Sequence, residues 1–258
     1  MSQSALQLFV DRLLRRSELS RTDQQRILDL PSNRLRLDNS RDAVVPGRRV
    51  NHALLVTKGW AARFDQLANG CREIVAVYVP GDMCDLHSVV APLPGWGIQA
   101  LRSTEFLQVP HAALRNLVDT SPEIAKAFWR DTTADASILA KWVCNRGRRQ
   151  AIRRIAHLFC ELAIRSEGAK LGSRAAFDLP ITQAQLAEML GITAVHTNRV
   201  LQSLRQTNVV STQGDRVSIC SWDQLVHIAE FDPAYLLLEK QNSRPAQDWG
   251  GRIVTACE

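Results

Sequence analysis

Residues 181–210, ITQAQLAEMLGITAVHTNRVLQSLRQTNVV, constrain this chain more than any other stretch. Thr182 offers a side-chain oxygen at a helix start and Gln185 follows three residues later, the spacing of a capping box. Leu186, Met189 and Leu190 share one helical face, and Gly191 ends that helix because glycine enters left-handed backbone angles without a Cβ clash. Thr193 is placed to cap a second helix. Val195, Val200, Leu201 and Leu204 recur there at helical spacing, while His196, Asn198, Arg199 and Gln202 take the polar face. Two short helices joined by a glycine turn predict a helix-turn-helix. The β-rich run 209–212, the turn 213–215 and the alternating run 216–219 predict a hairpin behind it, which makes the motif winged.

Charge points to the same place. The net charge is +6, and residues 146–216 alone hold eleven Arg and Lys against five Asp and Glu, so the surplus of the whole chain sits around the motif. A focused positive region is the electrostatic footprint of a phosphate-binding surface. No leader sequence is visible and no run of about 18 apolar residues exists to span a bilayer, so a cytoplasmic protein without a membrane partner is expected. The six cysteines (71, 84, 144, 160, 220, 257) contain no C-x-x-C pair, which argues against a zinc site or a disulfide framework.

The chain as a whole reads as α+β. Residues 4–30 predict two short helices, the second capped by Ser20 and ended near Pro31. Between 35 and 109 the apolar period changes to two, with strands at 35–37, 53–56, 60–64, 73–79 and 105–109 and turns at Lys58-Gly59, Asn69-Gly70, Pro80-Gly81-Asp82 and 92–95. Many short strands at this spacing predict a β-roll or barrel. A short helix follows at 111–119. Ser121-Pro122-Glu123 then opens a long one, with an N-cap, a proline at the first helical position and an acid in the first turn. Its apolar stripes, which include Phe128, Ile138, Leu139 and Trp142, are expected to cover the roll and to meet the same helix of a second copy, with Asp131 and Asp135 interrupting the seam. A break is predicted at 145–147, an amphipathic basic helix at 148–166 and a loop at 167–178. Ser221 and Gln224 predict a second capping box. The expected domains are 1–120, an effector or sensor roll with its N-terminal helices; 121–146, the dimerisation helix and hinge; 147–240, the winged domain; and 241–258, a flexible tail.

This order of elements resembles the CRP/FNR family of bacterial transcription regulators over residues 35–219, most specifically in ITQAQLAEMLGITAVHTNRVL at 181–201 and in the Pro80-Gly81-Asp82 turn after a strand. The resemblance implies a cyclic-nucleotide-binding-like roll, a homodimer joined through the long helix, and a second helix of the motif lying in the major groove of double-stranded DNA at an inverted-repeat operator. RNA polymerase is a further partner such a regulator would meet. The family's base-reading positions fall on Ala194, Val195 and Arg199; the arginine can bond a guanine bidentately, but the family's usual arginine and glutamate are absent from the first two. His196 and Asn198 are candidates for a base or a phosphate, Thr193 and Thr182 for phosphate oxygens, and Arg148 and Arg149, at the start of the basic helix, for further phosphate contacts.

No cofactor is expected. Cyclic-nucleotide binders of the family carry Gly-Glu-Leu followed by Arg-Ser-Ala; here the stretch reads Gly81-Asp82-Met83-Cys84-Asp85-Leu86-His87, then Pro94-Gly95-Trp96, without the phosphate-neutralising arginine, and Arg102 lies farther along. The iron–sulfur branch needs an N-terminal cysteine cluster, and residues 1–70 hold no cysteine. Cys84 with Asp85 and His87 is the one candidate for a reactive thiol or metal corner. Glycine-rich phosphate loops, G-x-S-x-G and H-E-x-x-H are absent, so an enzyme is not expected. The competing reading is a small-molecule or redox sensor whose winged domain mediates protein contacts.

Overall fold

The computed structural model describes residues 2–70 and 72–238. The N-terminal helices α1 (Ser2–Leu13) and α2 (Arg21–Leu28) come first, and Ser20 caps α2 by accepting the Asp23 N–H at 3.1 Å. Seven strands then build the roll: β1 (Asn33–Leu37), β2 (Asp42–Val44), β3 (His52–Lys58), β4 (Ala61–Gln66), β5 (Arg72–Tyr78), β6 (Gly97–Ala100) and β7 (Thr104–Pro110). They form two antiparallel sheets, β1-β7-β3 and β2-β6-β4-β5, and Leu54, Val56, Ala61, Ile98 and Phe106 pack in the core between them. The short strands β2 and β6 have no alternating pattern long enough to be read from sequence. Gly97 opens β6 because a Cβ there would lie 2.2 Å from the Phe64 ring opposite.

Helix α3 (His111–Thr120) leads into α4 (Pro122–Arg148), where Ser121 accepts the Ile124 N–H at 3.3 Å. The helix does not break at 145–147 as expected. It passes through Gly147 and ends where Arg149 turns extended. One helical glycine costs only about 1 kcal/mol, and tertiary partners hold this end: Asn145 bonds His157 at 3.0 Å and Arg146 pairs with Glu73 of β5.

The residues expected to form a dimer seam on α4 face the chain's own core instead. Phe128 packs on Phe9 of α1 with ring centres 5.7 Å apart, Ile138 and Trp142 are buried with α5 (Ala151–Gly168), and Leu139 lies half-buried against the core of the roll. Elements far away in sequence fold back over the faces that periodicity had left open. Asp131 and Asp135 do not interrupt a seam; they receive Arg12 of α1 at 2.7 and 2.9 Å. Among the exposed residues of α4, Trp129, Thr133, Ala136, Ala140, Val143 and Gly147 form one stripe, spaced alternately four and three apart.

The winged domain follows with β8 (Gly172–Ser173), β9 (Ala176–Asp178), α6 (Gln183–Leu190), α7 (Ala194–Gln206), β10 (Val210–Gln213), β11 (Arg216–Ile219) and α8 (Trp222–Ala229). Its sheet has the order β10-β11-β9-β8, so part of the segment expected as a loop contributes two strands to the wing. They are two and three residues long and bury a single side chain, Phe177, too little for a periodic signal. Ser221 precedes α8, but its side chain makes no capping bond, so the second expected box does not form. The chain then returns through a short 3-10 helix, Pro233–Leu236, that buries Tyr235 and Leu236 against the main core. Among the described residues no helix is long and apolar enough to cross a membrane. The expected tail at 241–258 lies outside the described residues.

Candidate nucleic-acid interface

The helix-turn-helix is fixed by its caps. Thr182 Oγ1 accepts the Gln185 N–H at 3.2 Å and Gln185 Oε1 accepts the Thr182 N–H at 2.8 Å, the reciprocal capping box. Gly191 adopts φ +64°, and a Cβ there would also sit 2.9 Å from Arg146 Nε. Arg154 donates to the Leu190 carbonyl at 3.0 Å, at the negative end of α6. Thr193 Oγ1 accepts the His196 N–H at 3.2 Å and so starts α7. Arg146 and Arg154 thus hold the turn that aims α7, a role nothing in their sequence spacing announces.

Helix α7 has a buried and an exposed side. Thr197, Val200, Leu201 and Leu204 are buried; Ala194, Val195, His196, Asn198, Arg199 and Gln202 are exposed. Val195 was expected on the apolar face, yet it is 70% exposed and stands on the outward side with Arg199. The side chains of His196, Asn198 and Arg199 bond to no described residue. The face therefore contributes nothing to the protein's own fold, and it joins one methyl-bearing side chain to amide, imidazole and guanidinium donors. Those are the groups that read a base-pair edge.

Most of the local positive charge is engaged within the chain. Arg149 donates to the carbonyls of Ala229 and Glu230 at the C-terminus of α8, where unpaired carbonyls and the helix dipole attract a cation. Arg153 pairs with Glu230, Arg174 with Glu167, Arg216 with Asp178 and Lys170 with Asp11, while Arg205 bonds Thr212. Arg165 is buried against Asp82 and Glu161 at 2.7 and 3.0 Å. Of the eleven basic residues between 146 and 216, Arg148 and Arg199 are the two exposed ones without a partner among the described residues. Arg149 is thus a structural cap rather than the free phosphate contact expected of it. Thr182 likewise spends its hydroxyl on the box, though it remains exposed.

The roll departs from the expectations for Cys84. Its thiol is fully buried in the core between the sheets, and burial together with Asp85 and Asp82 pushes its pKa well up, so it is not a reactive thiol. Among the described residues no group of three or more His, Cys, Asp or Glu is arranged to hold a metal ion. His111 bonds Ser88 at 2.8 Å and His52 bonds Gln108 at 2.8 Å. Arg102 pairs with Asp215 of the wing turn at 2.7 Å, away from the interior of the roll.

Comparison with known proteins gives this geometry a context. The Crp-like helix-turn-helix domain profile matches residues 153–228. A protein of Rhizobium leguminosarum described as a probable transcriptional activator is 25% identical over 118 residues, which are 46% of this chain and 49% of that one. The chain thus matches about half the length of that relative. The transcriptional activator protein FnrL of Cereibacter sphaeroides is 23% identical over 175 residues, 66% of this chain and 69% of its own. Among solved structures, FixK2 from Bradyrhizobium japonicum superposes with a TM-score of 0.70 at 20% identity, over 77% of this chain and 98% of that one.

Proposed function

Because the chain belongs to the CRP/FNR family of transcription regulators, we propose that it binds a specific DNA operator as a homodimer, with α7 in the major groove. The observation that carries this reading is the outward face of α7, whose side chains have no partner in the fold. Arg199 takes the bidentate guanine contact and Val195 an apolar contact to a thymine methyl. Thr193 and Arg148, both exposed, take phosphate contacts in this reading. A DNA-binding regulator of this kind works in the cytoplasm, and it meets RNA polymerase at the promoter.

The second copy docks along the exposed stripe of α4. Trp129, Ala136, Ala140 and Val143 recur with the heptad spacing of a two-stranded coiled coil, and Trp129 and Val143 are 77% and 71% exposed in the single chain. Such a stripe of apolar surface is covered in a stable molecule. A two-fold dimer presents two α7 helices, so the operator is an inverted repeat with half-sites about one helical turn (~34 Å) apart. We infer further that neither cyclic AMP nor an iron–sulfur cluster is the signal. The arginine that would neutralise a cyclic phosphate is absent from 81–96, and Arg102 is engaged with the wing.

The test is selection of bound duplexes from a random pool. The expected result is an enriched inverted repeat whose binding weakens steeply with salt. Recovery of no enriched sequence by folded protein would overturn the reading in favour of a winged domain used for protein contacts. Calorimetry with cyclic AMP should show no heat of binding.

A further inference from the structure

The winged domain does not stand clear of the roll. The turn 101–103, between β6 and β7, touches it at two places. Gln185, in the first turn of α6, donates from Nε2 to the Leu101 carbonyl at 3.4 Å. Arg102 pairs with Asp215, in the turn between β10 and β11, at 2.7 Å. Leu186 and Met189 of α6 share a core with Ile74, Val77 and Leu101 of the roll. The roll turn thus meets both the element that precedes α7 and the hairpin that follows it.

Exposed cations of the roll surround that turn. Residues 33–59 hold six Arg and Lys against two Asp, and Asp42 is paired with Arg72. In the sheet β1-β7-β3, Arg36 and Lys58 lie opposite Glu105 from its two sides, so the three share one rung. Arg36 reaches Ser103 Oγ at 3.5 Å. Gly59, next to Lys58, packs so closely that a Cβ there would lie 2.5 Å from the Ser103 carbonyl oxygen. Arg41 is tied to the same end of the sheet, because its carbonyl accepts the Ala100 N–H at 2.9 Å. Arg36, Arg41 and Lys58 are all exposed, and none forms an ion pair with a described residue. Glu105 and the exposed Asp38 offset part of this charge, and Arg102 covers the carboxylate of Asp215. Most cations of the winged domain meet a carboxylate or a carbonyl of their own chain, and these three roll cations meet no carboxylate.

We propose that this corner of the roll, through Arg36, Arg41 and Lys58, binds the phosphate backbone of the DNA that flanks each half-site. The proposal rests on the reading of α7 given above. The first helix of a helix-turn-helix crosses the DNA backbone, and here the start of that helix is bonded to the roll turn. A backbone that passes α6 and the hairpin turn therefore arrives at the three free cations. Duplex DNA carries one negative charge per ~1.7 Å of its axis, so it supplies the counter-charge they lack. Contacts of this kind hold the duplex in position without reading its sequence. Arg102 has a different part: it takes the one carboxylate of the hairpin turn out of the path of the phosphates.

The experiment uses the full chain and two duplexes carrying the same selected operator. One ends at the outer edges of the half-sites; the other extends ~50 Å beyond each with unrelated sequence. The wild-type chain is expected to bind the longer duplex at least several-fold tighter. Its fall in affinity with salt should be steeper on that duplex, by about 0.9 in the logarithmic slope for each flanking phosphate contact. Arg36→Ala combined with Lys58→Ala should abolish the preference for the longer duplex and leave binding to the shorter one unchanged. Circular dichroism checks that the variant is folded. Equal binding of both duplexes by the wild-type chain, or a preference that survives in the folded double variant, would overturn the proposal and leave the reading of α7 standing. Failure to bind either duplex specifically would overturn both.

Discussion

Arg199 and Arg149 belong to the same basic stretch, and their surroundings give them opposite work. Arg199 stands free on α7, so Arg199→Ala should leave folding stability within about 0.5 kcal/mol. It should cost roughly 1–3 kcal/mol of operator binding per half-site and relax preference at one base pair, as read by competition gel shift. Arg149 holds the last carbonyls of α8. Arg149→Ala should lower stability by roughly 1–2 kcal/mol in denaturant unfolding and leave base preference unchanged. His157 provides a third residue-scale test. Burial, then the charges of Arg149 and Lys141, push its pKa from 6.5 down to about 3, with Tyr235 stacked on it, Phe231 edge-on to it and Asn145 bonded to it. The unfolded chain binds a proton below pH 6.5 that the folded chain refuses, so this site's stability is full above 6.5 and falls as pH drops toward 3. Asp85, raised from 3.8 to about 7, acts in the opposite sense over much of that range. The informative quantity is therefore the difference from His157→Gln. The stability gap between the two proteins should narrow below pH 6.5 by up to about 1.4 kcal/mol per unit, and a gap independent of pH would contradict a neutral buried imidazole.

Helix α4 is used on every side. Its inner faces bury Ile124, Phe128, Ile138 and Trp142 against α1, the roll and α5, and its outer stripe carries Trp129, Ala136, Ala140 and Val143. This separates two outcomes that periodicity alone confuses. Val143→Glu should give a folded monomer in analytical sedimentation with specific DNA binding lost, because it places a charge in the seam between copies. Ile138→Glu should instead lower the melting temperature steeply, because it buries an unpaired carboxylate inside one chain. A dimer that survives Val143→Glu together with Trp129→Glu would place the interface on another element.

The roll and the winged domain are joined by buried charge. Arg12 of α1 meets Asp82, Asp131 and Asp135, and Arg165 of α5 meets Asp82 and Glu161, which also receives Trp142 Nε1 and the Tyr235 hydroxyl at 3.0 and 2.9 Å. Burial works against the Asp82 carboxylate, yet Arg12 and Arg165 hold its pKa below the usual value. Removing one member of such a group leaves a charge buried without its partner, at roughly 3–5 kcal/mol. Asp82→Asn should therefore lower the stability of the whole molecule by about that amount. Because the network spans both halves, calorimetry should show one transition for the wild-type chain. A wild-type trace with two separated transitions would mean the halves unfold independently.

The local signals in the sequence determined the helix-turn-helix. Thr182, Gln185, Gly191 and Thr193 act within one helical turn of where they stand, so capping chemistry and glycine's backbone freedom define both helices and the turn without help from the remainder of the chain. The period-two runs did the same for the longer strands of the roll. The tertiary structure decided whatever depends on which distant surface arrives. The short strands β2, β6, β8 and β9 exist because neighbours complete their pairing. The apolar stripes of α4 could not say which would meet the chain's own core and which a second copy, because α1 and α5 reach them from far away in sequence. Arg149 and Arg199 look alike as letters, and only the position of α8 makes one a cap and leaves the other free. Arg36 and Lys58 read as separate charges in two strands, and only β7 between them sets both on one rung beside the wing.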